Sequence, residues 1–156
     1  MNMEMREYGT IVIGAGASGL ATSYRLREAG IRHVILDGAA EPGGSWPHYY
    51  DSLTLFSPAR YSGLPGLGFP GDPERYPTRD EVAAYLREYA RHFALPFRGR
   101  SRVERVESVA ERLIVRTAAG DAYRARSVVV ATGAFSEPHV PAIEGGEAYR
   151  GRVLHS

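Results

Sequence analysis

"TIVIGAGASGLATSYRLREAG", residues 10–30, sets four β-branched residues directly before a run of spaced glycines. Gly14, Gly16 and Gly19 have the G-x-G-x-x-G spacing of a turn that joins a strand to a helix and receives a dinucleotide. The short apolar run before it, residues 10–13, predicts a central strand of a parallel sheet, buried on both faces. Beyond the turn, Leu20, Ala21, Tyr24 and Leu26 give a helix an apolar side, and Gly30 stands where a left-handed cap would end it. "HVILD", residues 33–37, reads as a second buried strand, so strand, helix and strand make a βαβ unit with a right-handed crossover. The spacing alone serves NAD, NADP and FAD alike.

Each glycine has a separate physical reason. Gly14 permits the tight turn, Gly16 lets backbone approach a pyrophosphate with no Cβ in the way, and Gly19 lets the helix pack close to the strand. The helix N-terminus then offers free N–H groups and the positive end of its dipole to phosphates. Asp37, 18 residues past Gly19, ends the second strand where a carboxylate accepts from the hydroxyls of a ribose. A carboxylate there disfavours a 2′-phosphate.

Composition narrows the function classes. The chain has 156 residues, enough for one domain that buries roughly 70% of its unfolded surface. With no cysteine, this sequence holds no disulfide, thiolate metal ligand or cysteine nucleophile, which suits a cytoplasmic setting. The five histidines are scattered without zinc-site spacing, so no metal site is expected and each reads as a solvated or hydrogen-bonded side chain. Nineteen basic residues against eighteen acidic ones leave no basic stripe for nucleic acid, which points to a small-molecule ligand. No apolar run approaches the roughly 18 residues that span a bilayer, so no membrane partner is expected.

Residues 38–77 are rich in Gly, Pro, Ser and Tyr and read as loop with one short helical turn at most, a length that suggests a ligand-wrapping or partner-binding segment. Thr78 and Glu81 have capping-box spacing, and Val82, Tyr85, Leu86, Tyr89 and Phe93 recur at helical intervals, predicting an amphipathic helix that ends before Pro96. Of the loop aromatics, Tyr49, Tyr50 and Tyr61 are expected to pack on this helix rather than line an entrance. Residues 101–126 read as two or three short antiparallel strands with "AAGD" as one turn, and residues 127–131 as a further buried strand.

Two more small-residue turns bear on the cofactor. "EPGGSW", residues 41–46, brings a second glycine pair near Asp37, which a plain NAD domain does not need. "VVVATG", residues 128–133, ends a strand at the edge where ligands of open α/β sheets sit. In this order, the three turns resemble the FAD-binding half of two-dinucleotide-domain flavoproteins. Over essentially the whole chain the resemblance is to class B flavoprotein monooxygenases, the group of flavin-containing monooxygenases, Baeyer–Villiger monooxygenases and N-hydroxylases. "GAGASG" resembles the FAD fingerprint of that family, "GGSW" its Gly-Gly-x-Trp loop, and "ATGAFSEPHVPAIEG" its Ala-Thr-Gly segment and proline-rich link. "YRGRVLHS" is similar to the start of its identifying motif, with Tyr149 in place of the usual Phe and Gly151 and His155 matching.

The resemblance implies a Rossmann-like α/β domain with a central parallel sheet and a small antiparallel β-meander. It implies FAD contacts at Gly14, Gly16, Ala17, Ser18, Gly19, Asp37, Gly38, Gly43, Gly44, Ser45, Trp46, Ala131, Thr132 and Gly133. Trp46 then borders the flavin or nicotinamide, or packs beneath the long loop. No residue is nominated as acid, base or nucleophile, because the flavin carries the chemistry. Family members take hydride from NADPH and transfer one oxygen atom from O₂ to a small substrate. They continue into an NADPH domain and a return segment, so the resemblance implies that residues 1–156 are the N-terminal part of the FAD domain, inactive alone. Residues 47–66 resemble a branch of bacterial flavoproteins, and Phe56 stands where animal flavin-containing monooxygenases carry a functional Asn, so substrate chemistry does not carry over. The cofactor domain of an NAD-dependent dehydrogenase, or a non-catalytic nucleotide sensor, would share the first βαβ unit.

Overall fold

The computed structural model describes residues 5–134 and 139–153. Strand β1 (Arg6–Ile13) leads through the glycine turn into helix α1 (Ala17–Glu28) and returns as strand β2 (His33–Leu36). Helix α2 (Arg79–His92) follows the long loop, and strands β3 (Phe97–Arg98), β4 (Val103–Val109), β5 (Arg112–Thr117) and β6 (Ala122–Val130) complete a sheet of order β3-β2-β1-β6-β5-β4. The first four strands in that order run parallel, while β4, β5 and β6 are antiparallel neighbours. The expected parallel sheet and meander are both present.

Alternation along the strands sorts the core into two layers. Val12 and Ile35 face α1 and α2 and join Leu20, Tyr85, Leu86 and Tyr89 in one cluster. Ile11, Ile13, Val34 and Leu36 point the other way and join Val115, Tyr123 and Ala125 of β5 and β6 in a second cluster. Polar groups beneath α1 are satisfied. His33 Nδ1 lies 2.8 Å from the Ile31 carbonyl, which can only accept, so Nδ1 donates, while Nε2 shares a 2.7 Å hydrogen bond with the Ser23 hydroxyl. Helix α1 ends as anticipated. Gly30 has φ +66°, and the amides of Gly30 and Ile31 donate to the carbonyls of Arg27 and Leu26 in a Schellman cap.

The expected separate strand over residues 127–131 is instead the second half of β6, which runs from Ala122 to Val130 without a break. No glycine or proline interrupts "AYRARSVVV", so one strand lies beside β1 from Arg6↔Tyr123 to Ile13↔Val130, while its first half also pairs with β5 on the other edge. Nor is its end buried: Val130 is 68% exposed, because it stands at the open end of the sheet.

Residues 38–77 contain two single 3₁₀ turns, Trp46–His48 and Ala59–Tyr61, rather than one. The segment folds back on itself. Leu55 N donates to the Pro77 carbonyl at 2.8 Å and Ala59 N to the Arg75 carbonyl at 2.9 Å, next to an isolated bridge between Thr54 and Thr78. Helix α2 then pins it: the Tyr85 hydroxyl donates to the Leu67 carbonyl at 2.6 Å and accepts from Leu64 N, and the Tyr89 hydroxyl donates to the Pro65 carbonyl at 2.7 Å. Burial pushes the Tyr85 phenol up, and burial with the neighbouring Tyr85 pushes Tyr89 up to about 12. Packing by Tyr50 and Tyr61 is not observed: both are exposed, since the helix face is already filled by Leu55, Leu64, Leu67 and Phe69. The capping box forms, with Thr78 accepting from Glu81 N and Glu81 accepting from Thr78 N.

Candidate functional site

The strand order reverses at β1, with β2 on one side and β6 on the other, and a cleft of about 760 Å³ opens at the carboxyl ends of these strands. Such a reversal is where open α/β sheets leave a crevice for a ligand. The volume lies in the upper part of the roughly 300–1,000 Å³ usual for ligand pockets.

The glycine turn forms its floor. Gly14 has φ +105°, and a Cβ there would overlap the carbonyl oxygen of Ala131, so β1 and the end of β6 approach as closely as only glycine allows. A Cβ on Gly16 would meet no protein atom nearer than Gly44 Cα at 3.7 Å, which leaves the space above it to the cleft. Gly16 is also the N-cap of α1. No side chain caps the helix and its first turn carries no acid, so its leading N–H groups and the dipole remain available to an anion.

Asp37 sits at the end of β2 and is already engaged. Its Oδ2 accepts from Ala15 N at 2.6 Å and its Oδ1 from Ala39 N at 2.7 Å, so the carboxylate ties the glycine turn to the chain that leaves β2. Two oxygens accepting one bond each retain lone pairs for further donors.

The Gly-Gly-x-Trp loop closes the opposite side. Gly43 N donates to the Ala15 carbonyl at 3.0 Å, and Gly44, at φ +57°, places its missing Cβ 2.9 Å from Gly16 Cα. The two motifs therefore touch through glycine backbone. Trp46 is half-buried, packs against the helix-side core, lines the cleft and meets the Tyr49 ring edge-on at 5.4 Å. Trp46 thus packs on the core and lines the cleft at once.

Of the residues singled out from sequence, Gly14, Gly16, Ala17, Ser18, Asp37, Gly38, Gly44, Ser45, Trp46, Ala131, Thr132 and Gly133 all line this one cleft. Gly19 and Gly43 do not face it. Both are buried behind the wall: a Cβ on Gly19 would strike the Gly14 carbonyl oxygen, and Gly43 is called for by its φ of +147°. Tyr149 and Gly151 of the terminal motif are exposed, and His155 lies outside the described residues. The sequence reading omitted Thr22, His48 and Arg102, which also line the cleft, as does Tyr49, expected from sequence to pack on α2 rather than line an entrance. Thr22 could have been found from its place one turn beyond Ser18, while Arg102 is distant in sequence from every glycine motif. Among the described residues no helix is long and apolar enough to cross a membrane.

Comparison with known proteins agrees with this geometry. An uncharacterized oxidoreductase, CzcO, of Bacillus velezensis is 38% identical over 149 residues, which are 96% of this chain and 43% of that protein. The chain thus spans less than half the length of the curated relative it matches. A flavin-containing monooxygenase from Stenotrophomonas maltophilia superposes with a TM-score of 0.85 at 45% identity, over 88% of this chain and 42% of that one. An oxidized steroid monooxygenase bound to NADP superposes with a TM-score of 0.76 at 30% identity, over 87% of this chain and 28% of that one. The family model described as pyridine nucleotide-disulphide oxidoreductase matches residues 11–155. With the fold, the crossing glycine loops and the matched length in agreement, the chain belongs to the pyridine nucleotide-disulphide oxidoreductase family.

Proposed function

We propose that the cleft holds FAD, and that the protein to which this chain contributes is an NADPH-dependent flavoprotein monooxygenase acting on a small molecule in the cytoplasm. The observation that carries the reading is the contact of Gly16 with Gly44 beside the uncapped N-terminus of α1. It leaves a backbone-lined cradle, open to the cleft, where a diphosphate would meet N–H groups rather than side chains. An NAD fold needs the first loop only, whereas here a second glycine loop and the Ala131–Gly133 turn converge on the same space.

In this reading Gly16, Ala17 and Ser18 hold the diphosphate, Asp37 accepts from a ribose, and Gly44, Ser45, Trp46 and the 131–133 turn border the ring system. Bound there, FAD would supply hydride acceptance and oxygen chemistry. The protein's own residues orient it and exclude water. Support for a monooxygenase comes from the flavin-containing and steroid monooxygenases that share the fold at 45% and 30% identity. The NADP of the latter structure supports NADPH as reductant.

The test is retention of cofactor after desalting, with the chain refolded separately with FAD, FMN and NAD. FAD absorbance in the protein fraction in preference to FMN or NAD is expected, and retention of NAD without FAD would refute the reading. For the whole protein, NADPH consumption coupled to oxygen incorporation into a sulfide or ketone is expected. Turnover of NADPH on an alcohol or hydroxy acid, with no O₂ uptake, would place it among dehydrogenases instead.

A further inference from the structure

Residues 97–102, "FRGRSR", belong to none of the glycine motifs, yet they carry Arg102 to the lining of the cleft, beside Gly38. Backbone stitches them to the chain leaving β2. Asp37 N donates to the Arg98 carbonyl at 3.1 Å, Arg100 N to the Ala39 carbonyl at 2.8 Å, and Ser101 N to the Asp37 carbonyl at 2.7 Å. Gly99 permits this, because a Cβ there would come within 2.7 Å of the Ala39 carbonyl oxygen. Arg102 is then held by Ala118 N, which donates to its carbonyl at 2.9 Å.

The side chain of Arg102 runs across Gly38. A Cβ on Gly38 would lie 3.4 Å from the Arg102 Cβ and 3.7 Å from its Cγ, so the glycine gives the arginine stem a bare floor at the cleft rim. Among the described residues its guanidinium has no carboxylate partner, in contrast to Arg75, Arg79 and Arg91, each of which holds one at 2.7 Å. Arg102 thus lines the cleft beside Gly38, exposed and without a carboxylate partner among the described residues.

We infer that Arg102 binds the adenosine end of the cofactor, its guanidinium lying over the purine while Asp37 takes the ribose. This rests on the FAD reading above and adds a residue to it. A dinucleotide with its diphosphate on Gly16 has one nucleoside on each side. The side carrying Gly44, Trp46 and the 131–133 turn suits the larger ring system. The other side offers a carboxylate for hydroxyls and, one step further out, a guanidinium whose plane matches an aromatic face. With Asp37 negative and Arg102 positive, that end carries no surplus charge for a 2′-phosphate.

The test is calorimetric titration of the chain with FAD, ADP and inorganic pyrophosphate, for wild type, Arg102→Ala and Arg102→Lys. Arg102→Ala is expected to weaken FAD and ADP by about tenfold, the scale of a partly desolvated cation–π contact, and to leave pyrophosphate unchanged. Arg102→Lys keeps the charge, gives up the plane, and is expected to stay weakened. Because Arg102 is exposed, both variants should melt with wild type, which an accompanying thermal scan checks. Unchanged FAD and ADP affinity in Arg102→Ala overturns the inference. So does full recovery in Arg102→Lys, or an equal loss for pyrophosphate, since either makes Arg102 a source of charge for phosphates. A wild-type chain that binds neither FAD nor ADP removes the cofactor reading and this inference together, whereas tight wild-type binding with an indifferent Arg102→Ala removes only the inference.

Discussion

Replacing Asp37 by alanine separates two roles of one carboxylate. In the structure both oxygens accept backbone N–H groups, from Ala15 at 2.6 Å and Ala39 at 2.7 Å, and Ala15 is fully buried. Hydrogen bonds to an ionised acceptor are worth about 1.5–3 kcal/mol each, and water can replace the acceptor for the half-exposed Ala39 but not for Ala15. The expected loss of stability is ~2–4 kcal/mol, a fall in Tm of about 5–15 °C for a chain of this size. In protein that is still folded, loss of the ribose acceptor should add a weakening of FAD binding by about 1–3 kcal/mol, or about 5- to 150-fold. Thermal melts followed by circular dichroism, with flavin-fluorescence titration below the new midpoint, read the two effects apart. Asp37→Asn keeps one acceptor oxygen and should fall between wild type and alanine in both assays. An alanine variant that melts with wild type would refute the structural role, and one that is folded and binds FAD unchanged would remove Asp37 from the site.

Gly44→Ala forces a Cβ to 2.9 Å from Gly16 Cα at a left-handed φ, so a cost of ~1–2 kcal/mol and at least a tenfold loss of FAD affinity are expected by titration. Thr78→Ala removes the cap of α2 and should lower stability by ~1 kcal/mol in urea melts. Glu81 is held below the usual carboxylate range, first by the Thr78 backbone N–H and then by Arg75, so its contribution is present above about pH 4.3 and lost as pH falls through its lower folded value. Glu81→Gln should flatten that acid limb of the stability curve. Tyr89→Phe leaves the Pro65 carbonyl without its donor and should cost ~1–2 kcal/mol near neutral pH. With the folded phenol at about 12 against about 10 unfolded, the stability tied to Tyr89 is whole below about pH 10 and disappears between about 10 and 12. Alkaline titration of stability should therefore be shallower in Tyr89→Phe, and an identical slope would refute the assignment.

The first βαβ unit was legible because every interaction that defines it lies within about a helix and two strands of sequence. Gly14, Gly16, Gly19 and Gly30 each announce a local backbone need, and Thr78 with Glu81 does the same for α2. The long loop shows the limit of such reading. Leu55, Leu64, Leu67 and Phe69 have no common period, and what places them is a set of hydroxyls on α2, so composition could identify a loop but not its path. Tyr50 and Tyr61 carry the same residue type as Tyr85 and Tyr89, and only the helix register separates the exposed pair from the buried one.

The cleft divides along the same line. Its glycine-turn end is built from residues whose reason is steric and visible in sequence, since removing a Cβ is the one way to let Gly14 meet Ala131 or Gly16 meet Gly44. Its Asp37 end is built from strand register. Arg98, Arg100 and Ser101 reach residues 37–39 only because β3 adds to the edge of β2 with Leu36 opposite Arg98. A two-residue strand after Pro96 carries no periodic signal. Gly38 looks from sequence like part of the glycine-rich exit from β2, and acquires its meaning only when the Arg102 stem is seen lying across it. A cleft-lining residue placed by sheet pairing between segments some 60 positions apart is thus invisible to spacing rules, because only the paired backbone carries Arg102 to the cleft.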